Sequence, residues 1–128
     1  MTDGLAAATL FIAHETGRPL RTAALPGRLA VSVATIGELR AGVLAATDLD
    51  TRARRPATLT SALALDPVPV DDRVADAWAW PRVALRDLGL RIPVNDSWIA
   101  ATALSRGVPV VTQDDDYIDI PGLVVIHV

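Results

Sequence analysis

The sequence predicts an α/β fold: one domain spanning residues 1–128, built on a central, mainly parallel sheet with helices on both faces. Three observations carry this. Short apolar runs alternate with helix-spaced segments along the whole chain, the pattern of strand–helix–strand units whose strands lie parallel. Hydrophobic residues make up 51% of the sequence and mean hydropathy is +0.34, which suits a sheet buried on both faces. No repeat, linker or low-complexity segment divides the chain, and 128 residues suffice for one sizeable core.

Taken in order, Leu5 to Leu10 is small and apolar and reads as a buried first strand, with a helix opening between Phe11 and Thr16. Pro19 to Leu25 is a second short helix, ended by Pro26-Gly27. Leu29 to Val33 reads as strand two. Thr35 to Ala46 carries Ile36, Leu39, Val43 and Ala46 at helical spacing, so one face is buried. Asp48 to Ala64 is arginine-rich with Pro56 inside it, giving one kinked helix or two pieces. Val68 to Val70, between prolines, is a short edge strand. Asp71 to Leu88 is the longest helical pattern, capped by Asp71 or Asp72, ended by Gly89, and bent or broken at Pro81. Arg91 to Val94 is a strand, followed by an Ala-rich helix to Gly107, a strand from Val108 to Thr112, and a final strand from Gly122 to Val128.

Composition narrows the function. The chain has no cysteine, which excludes disulfides and thiolate metal sites, and its two histidines are too few for a His-rich zinc site. No apolar run approaches the ~20 residues of a membrane helix. The start, MTDGLAAATLFIAHE, lacks a basic region, so no signal peptide is expected and the expected location is cytoplasmic. The net charge of −3 is not that of an obvious nucleic-acid binder, yet all twelve basic residues are arginine. Arg18, Arg21 and Arg28 cluster, as do Arg52, Arg54 and Arg55. Arginine's planar fork suits phosphate. A GC-rich genome gives the same bias.

The acids draw the most attention. Glu38 is one of two glutamates, and Glu38, Asp96, Asp114 and Asp116 each fall just past a predicted strand. Parallel strands bring such positions to one rim, where ligands bind in open α/β sheets. Several carboxylates converging from distant positions are what a hard divalent cation and phosphodiester hydrolysis require. Each acid also has a plainer role. Thr35-x-x-Glu38 and Thr112-x-x-Asp115 have the form of capping boxes, and Asn95 with Asp96 suits a helix start.

The stretch Asn95 to Ala103, N-D-S-W-I-A-A-T-A, with V-V-T-Q-D-D-D-Y from Val110 to Tyr117, resembles the Asp-led helix and acidic strand exit of PIN-domain nucleases. The likeness is greatest to the VapC-type toxins of bacterial toxin–antitoxin pairs. S-V-A-T-I-G-E-L-R-A-G, Ser32 to Gly42, resembles that family's glutamate helix, and I-P-G-L-V-V, Ile120 to Val125, its ending. The resemblance spans nearly the whole chain. It implies a PIN-like fold, a ribonuclease activity using Mg²⁺ or Mn²⁺, a cognate VapB-type antitoxin, an RNA substrate and a homodimer. It assigns Glu38, Asp96 and Asp114 as catalytic metal ligands and Asp116 as an auxiliary acid.

One departure stands out. The family opens with an aspartate at the end of its first strand, and here that position is Ala7, within A-A-A-T-L-F-I-A. Asp3 is no substitute, because four residues of strand span ~13 Å. A methyl group binds no cation, so metal affinity and activity are expected to fall sharply, and the sequence does not tell an engineered loss from a natural one. A catalytically inactive module that titrates antitoxin or RNA is the competing reading. A phospho-receiver domain needs a lysine the chain lacks, and no G-x-G-x-x-G supports dinucleotide binding. Among other residues, Trp78 is read as core, Trp80 as a possible contact surface, Trp98 as packing and His14 as a solvated helix residue. Ser32 and Ser97 have no histidine partner for a serine-hydrolase arrangement.

Overall fold

Leu5 and Ala6 are adjacent, fully buried, and point to opposite faces of one strand, so the sheet they belong to is covered on both sides. The computed structural model describes residues 3–115, 117 and 120–128. Its elements are β1 (Asp3–Ala6), α1 (Ala8–Thr16), β2 (Arg28–Val31), α2 (Val33–Ala45), α3 (Leu49–Leu63), α4 (Asp72–Asp87), α5 (Val94–Arg106), β3 (Val110–Thr112) and β4 (Val125–His127). The four strands form one sheet in the order β2-β1-β3-β4, and every pairing is parallel. The predicted fold class is the one observed.

Register explains the two cores. Leu5 pairs with Ala30 and Val110, and this row packs against Ile99, Ala100 and Ala103 of α5. Ala6 pairs with Val31 and Val111, and this row faces Leu10 and Phe11 of α1, with Ile36 and Leu39 of α2 and Ala62 of α3 beyond. Gly4, paired with Leu29, lies on the same face as the second row, where the fit is tight. A Cβ there would stand 2.7 Å from Pro26 Cγ and 2.8 Å from Val111 Cγ2. Helix α4 lies outside α5, with Val74 and Ala77 against Ala101.

The helix starts follow local chemistry. Ser32, Asp48 and Asp71 cap α2, α3 and α4 by accepting the N–H of Ala34, Thr51 and Val74, each at 3.0 Å. Gly17 and Gly107 end α1 and α5 in the left-handed conformation at φ 72° and 66°.

Several boundaries differ from the sequence expectation. The first strand stops at Ala6 and α1 begins at Ala8, not Phe11, because the small apolar residues Ala8 to Leu10 serve a buried helix as well as a strand. Pro19 to Leu25 holds only a 3₁₀ turn, Thr22–Ala24. Val68 to Val70 supplies a single parallel bridge, Val68 beside Ser32, and the last strand is confined to Val125–His127. Helices α3 and α4 run through Pro56 and Pro81; Pro81 is buried, and packing against α5 outweighs the local disruption. Arg91 to Val94 is not a strand. Pro93 has no N–H to give a ladder, and its φ of −52° suits a helix entry instead, so α5 starts at Val94.

Candidate active site

The carboxyl ends of β1 and β3 lie side by side, with the N–H of Ala7 donating to the Val111 carbonyl at 2.9 Å. From this rim the chain turns into α1 on one side and the 113–115 bend on the other. Thr9 fastens the two. Its hydroxyl lies 3.1 Å from that of Thr112 and accepts the N–H of Gln113 at 3.1 Å, while the Thr112 hydroxyl accepts the N–H of Asp114 at 3.1 Å. Asp114 is thereby held beside the start of α1. Asp115 turns outward, 84% exposed and 3.7 Å from His127 Nε2.

Tyr117 is the hub. It is 1% exposed, packs in the same cluster as Ala7 and Ile99, and donates its hydroxyl to Asp96 Oδ1 at 3.0 Å. Its phenol is pushed far above the ordinary value, first by burial and then by the charge of Asp96, with Asp114 and Glu38 adding to it. One buried hydroxyl thus feels three carboxylates drawn from α2, α5 and the turn after β3. Glu38 is half-buried, and its pKa is raised by burial and then by the negative charge of Asp114. Its Oε1 is buried with no hydrogen-bond partner among the described residues.

The capping roles do not match the geometry, while the helix-dipole role of Asp96 does. Thr35 is not a cap: Ser32 is, and Thr35 and Glu38 both lie within α2. Thr35 Oγ1 is itself buried without a partner among the described residues. Asn95 is not a cap either, since Pro93 holds that position, and a proline offers no N–H for Asp96 to reach back to. Asp96 sits in the first turn of α5, where the helix dipole favours it. No helix follows Thr112-x-x-Asp115 among the described residues. Asp116 lies outside the described residues.

Ala7 stands at the centre of this rim as the N-cap residue of α1, 2% exposed, with no side-chain cap bond. Asp3 is at the opposite end of β1, paired with Arg28 at 2.8 Å. Among the described residues no three acidic or histidine side chains already stand at metal-holding separation.

Of the arginine clusters, Arg18 reaches the rim, donating to Gln113 Oε1 at 3.3 Å. Arg28 serves Asp3, and Arg21 donates to the His127 carbonyl. Arg52 and Arg55 donate to the carbonyls of Ala46 and Gly42, closing the end of α2 rather than facing a ligand. Sequence reasoning gave no role to the Tyr117 hydroxyl or to Thr9, and read Thr112 as the start of a capping box, whereas its hydroxyl joins Thr9 and holds the N–H of Asp114. The available signal was a lone tyrosine after an acidic run, together with two threonines flanking the rim.

The PIN-domain family model matches residues 8–123, and the chain belongs to the PIN-domain family. It is 49% identical to Ribonuclease VapC5 of Mycobacterium tuberculosis over 119 residues, 93% of this chain and 88% of that protein. It is 47% identical to Ribonuclease VapC4 of the same species over 98 residues, 77% of this chain and 75% of that protein. The structure superposes with a TM-score of 0.91 and 43% identity on a chain from VapBC-5 of M. tuberculosis, a member of the VapBC family of toxin–antitoxin systems, covering all of both chains.

Proposed function

We propose that this chain is a ribonuclease toxin of the VapC type, which hydrolyses RNA phosphodiester bonds and is neutralised by a cognate VapB-type antitoxin. Its relatives are named as ribonucleases, and the matching structure is of a toxin–antitoxin system. The observation that supports the site is the Tyr117 hydroxyl at the carboxyl rim, hydrogen-bonded to Asp96 at 3.0 Å and within the electrostatic influence of Asp114 and Glu38. The orphaned Glu38 oxygen supports a missing positive ligand there, since a buried carboxylate oxygen otherwise finds a donor.

The donor set is all oxygen, which fits Mg²⁺ or Mn²⁺. Glu38, Asp96 and Asp114 would hold the ion, with Asp116 as an auxiliary acid. When bound, such an ion supplies Lewis acidity toward the phosphate and toward an attacking water. The chain's own residues do the rest. Tyr117 fixes the orientation of Asp96 by donating to one carboxylate oxygen. Thr112 fixes the backbone of Asp114. Glu38 and Asp114 raise each other's energy while the site is empty of cations, so the pair favours any ligand that brings positive charge.

Ala7 weakens this copy. The position faces the rim from the start of α1, and a methyl there removes one carboxylate from the expected set of four. That observation favours the second reading, a PIN-fold module that binds antitoxin or RNA without cutting.

The test is RNA cleavage by Ala7→Asp, purified free of partner, with Mg²⁺ or Mn²⁺. Cleavage abolished by EDTA and by Asp96→Asn is expected. No cleavage with either ion leaves only the binding module.

A further inference from the structure

The arginine clusters that stand out in the sequence are largely engaged elsewhere, yet the molecule carries a further concentration of arginine. Arg82, Arg86 and Arg91 line one open groove of about 650 Å³ between the second half of α4 and the segment leading into α5. All three are exposed, in a chain whose net charge is −3. The groove's apolar lining includes Leu85, Ile92 and Val94. Val94 opens the same helical turn that carries Asp96.

The guanidiniums are not equally free. Arg86 has Asp87 at 3.4 Å, both exposed, a pairing of little strength in water. Arg82 is positioned: its guanidinium lies 4.4 Å from the centre of the Trp78 ring. Trp78 stacks on Trp98 at 4.5 Å and 8°, and donates to Ser97, the neighbour of Asp96, at 3.0 Å. Ring stack and hydrogen bond thus lock the Arg82 fork in place relative to the first turn of α5. A fork fixed over an indole keeps its N–H edge available to an anionic oxygen.

We infer that the α4–α5 groove receives the RNA strand: Arg82, Arg86 and Arg91 hold successive backbone phosphates, and the groove delivers the chain to Asp96. Apolar floor and cationic wall together suit single-stranded RNA, whose bases pack on apolar surface while its phosphates meet arginine. This inference rests on the ribonuclease reading above, and it adds the surface by which substrate arrives.

The chain as it stands suits the test, with EDTA present so that no divalent cation supports cleavage during measurement. A fluorescently labelled, unstructured 12-nucleotide RNA is titrated by anisotropy across a salt series. Arg82→Gln/Arg86→Gln/Arg91→Gln should bind at least tenfold more weakly. Its salt slope should fall by about two, the loss of three phosphate contacts at roughly 0.7 each for a single strand. Arg73→Gln/Arg106→Gln, in a separate groove at the start of α4 and the end of α5, should leave binding unchanged. Arg86→Gln/Arg91→Gln spares the Trp78 contact and should show an intermediate loss, which serves if the triple variant does not fold. Unchanged affinity in the folded variants, with the parent still binding RNA, overturns the groove alone. So does a variant that keeps RNA but loses a co-expressed antitoxin, which would make the groove a protein-docking surface. Absence of RNA binding by both the parent and Ala7→Asp overturns the ribonuclease reading itself.

Discussion

Glu38 shows how a single residue reports on the site. Its carboxyl titrates above the ordinary value because burial and Asp114 both disfavour its charge. The folded state therefore holds a proton that the unfolded state has released, and stability falls as pH rises from about the ordinary carboxyl value of 4.5 through the folded pKa. In EDTA, Glu38→Gln should flatten that fall and be more stable than the parent at pH 7, as read by urea unfolding at pH 4 to 8. A variant less stable than the parent at pH 7 would mean that Glu38 has a cationic or donor partner in the empty site. Tyr117→Phe removes one hydroxyl bond to a carboxylate and should lose about 1.5 kcal/mol in the same assay. At Ala7 two effects oppose. Aspartate would cap α1, worth about 1 kcal/mol, against repulsion from the neighbouring acids. Ala7→Asp should therefore change stability little in EDTA and gain thermal stability with Mn²⁺.

At the scale of elements, the strand register fixes the rim and the two cores. Gly4 sits where the chain between β1 and β2 presses on the sheet, so Gly4→Ala should cost about 1–3 kcal/mol by forcing Pro26 and Val111 apart, measured by chemical denaturation. Most elements could be read from sequence because their signals were local: the helical spacing of Ile36 and Leu39, the Asp71 cap, the Gly107 stop. Where reading failed, the outcome depended on distant contacts. Ala8 to Leu10 could serve strand or helix, and only α1's packing on Ala6 and Val111 decides it. Arg91 to Val94 has strand-like residues, but Pro93 turns them into a helix entry. The candidate acids stood out in the sequence because each falls past a predicted strand, although Glu38 proves to lie within α2. Tyr117 did not, since its part is defined by Asp96, distant in sequence. The arginine groove was hidden for the same reason: Arg82 and Arg91 meet only after α4 packs on α5.

For the whole molecule, a PIN fold shared with ribonucleases of 47–49% identity holds a charged rim beside which Ala7 stands at the start of α1. Backbone caps, the Thr9–Thr112 clasp and the Tyr117 hub hold that rim with protein groups alone. Scaffold and chemistry are therefore separable. The chain should keep its fold and its partner surfaces while lacking full catalytic power. The most direct measurement is Mn²⁺ titration calorimetry on three proteins: the chain as it stands, Ala7→Asp, and Ala7→Asp/Glu38→Gln. Convergent acids predict weak or undetectable binding in the first, clear binding in the second, and a loss of at least tenfold in the third. Equal affinity in all three, or none in any, would contradict a cation site at this rim.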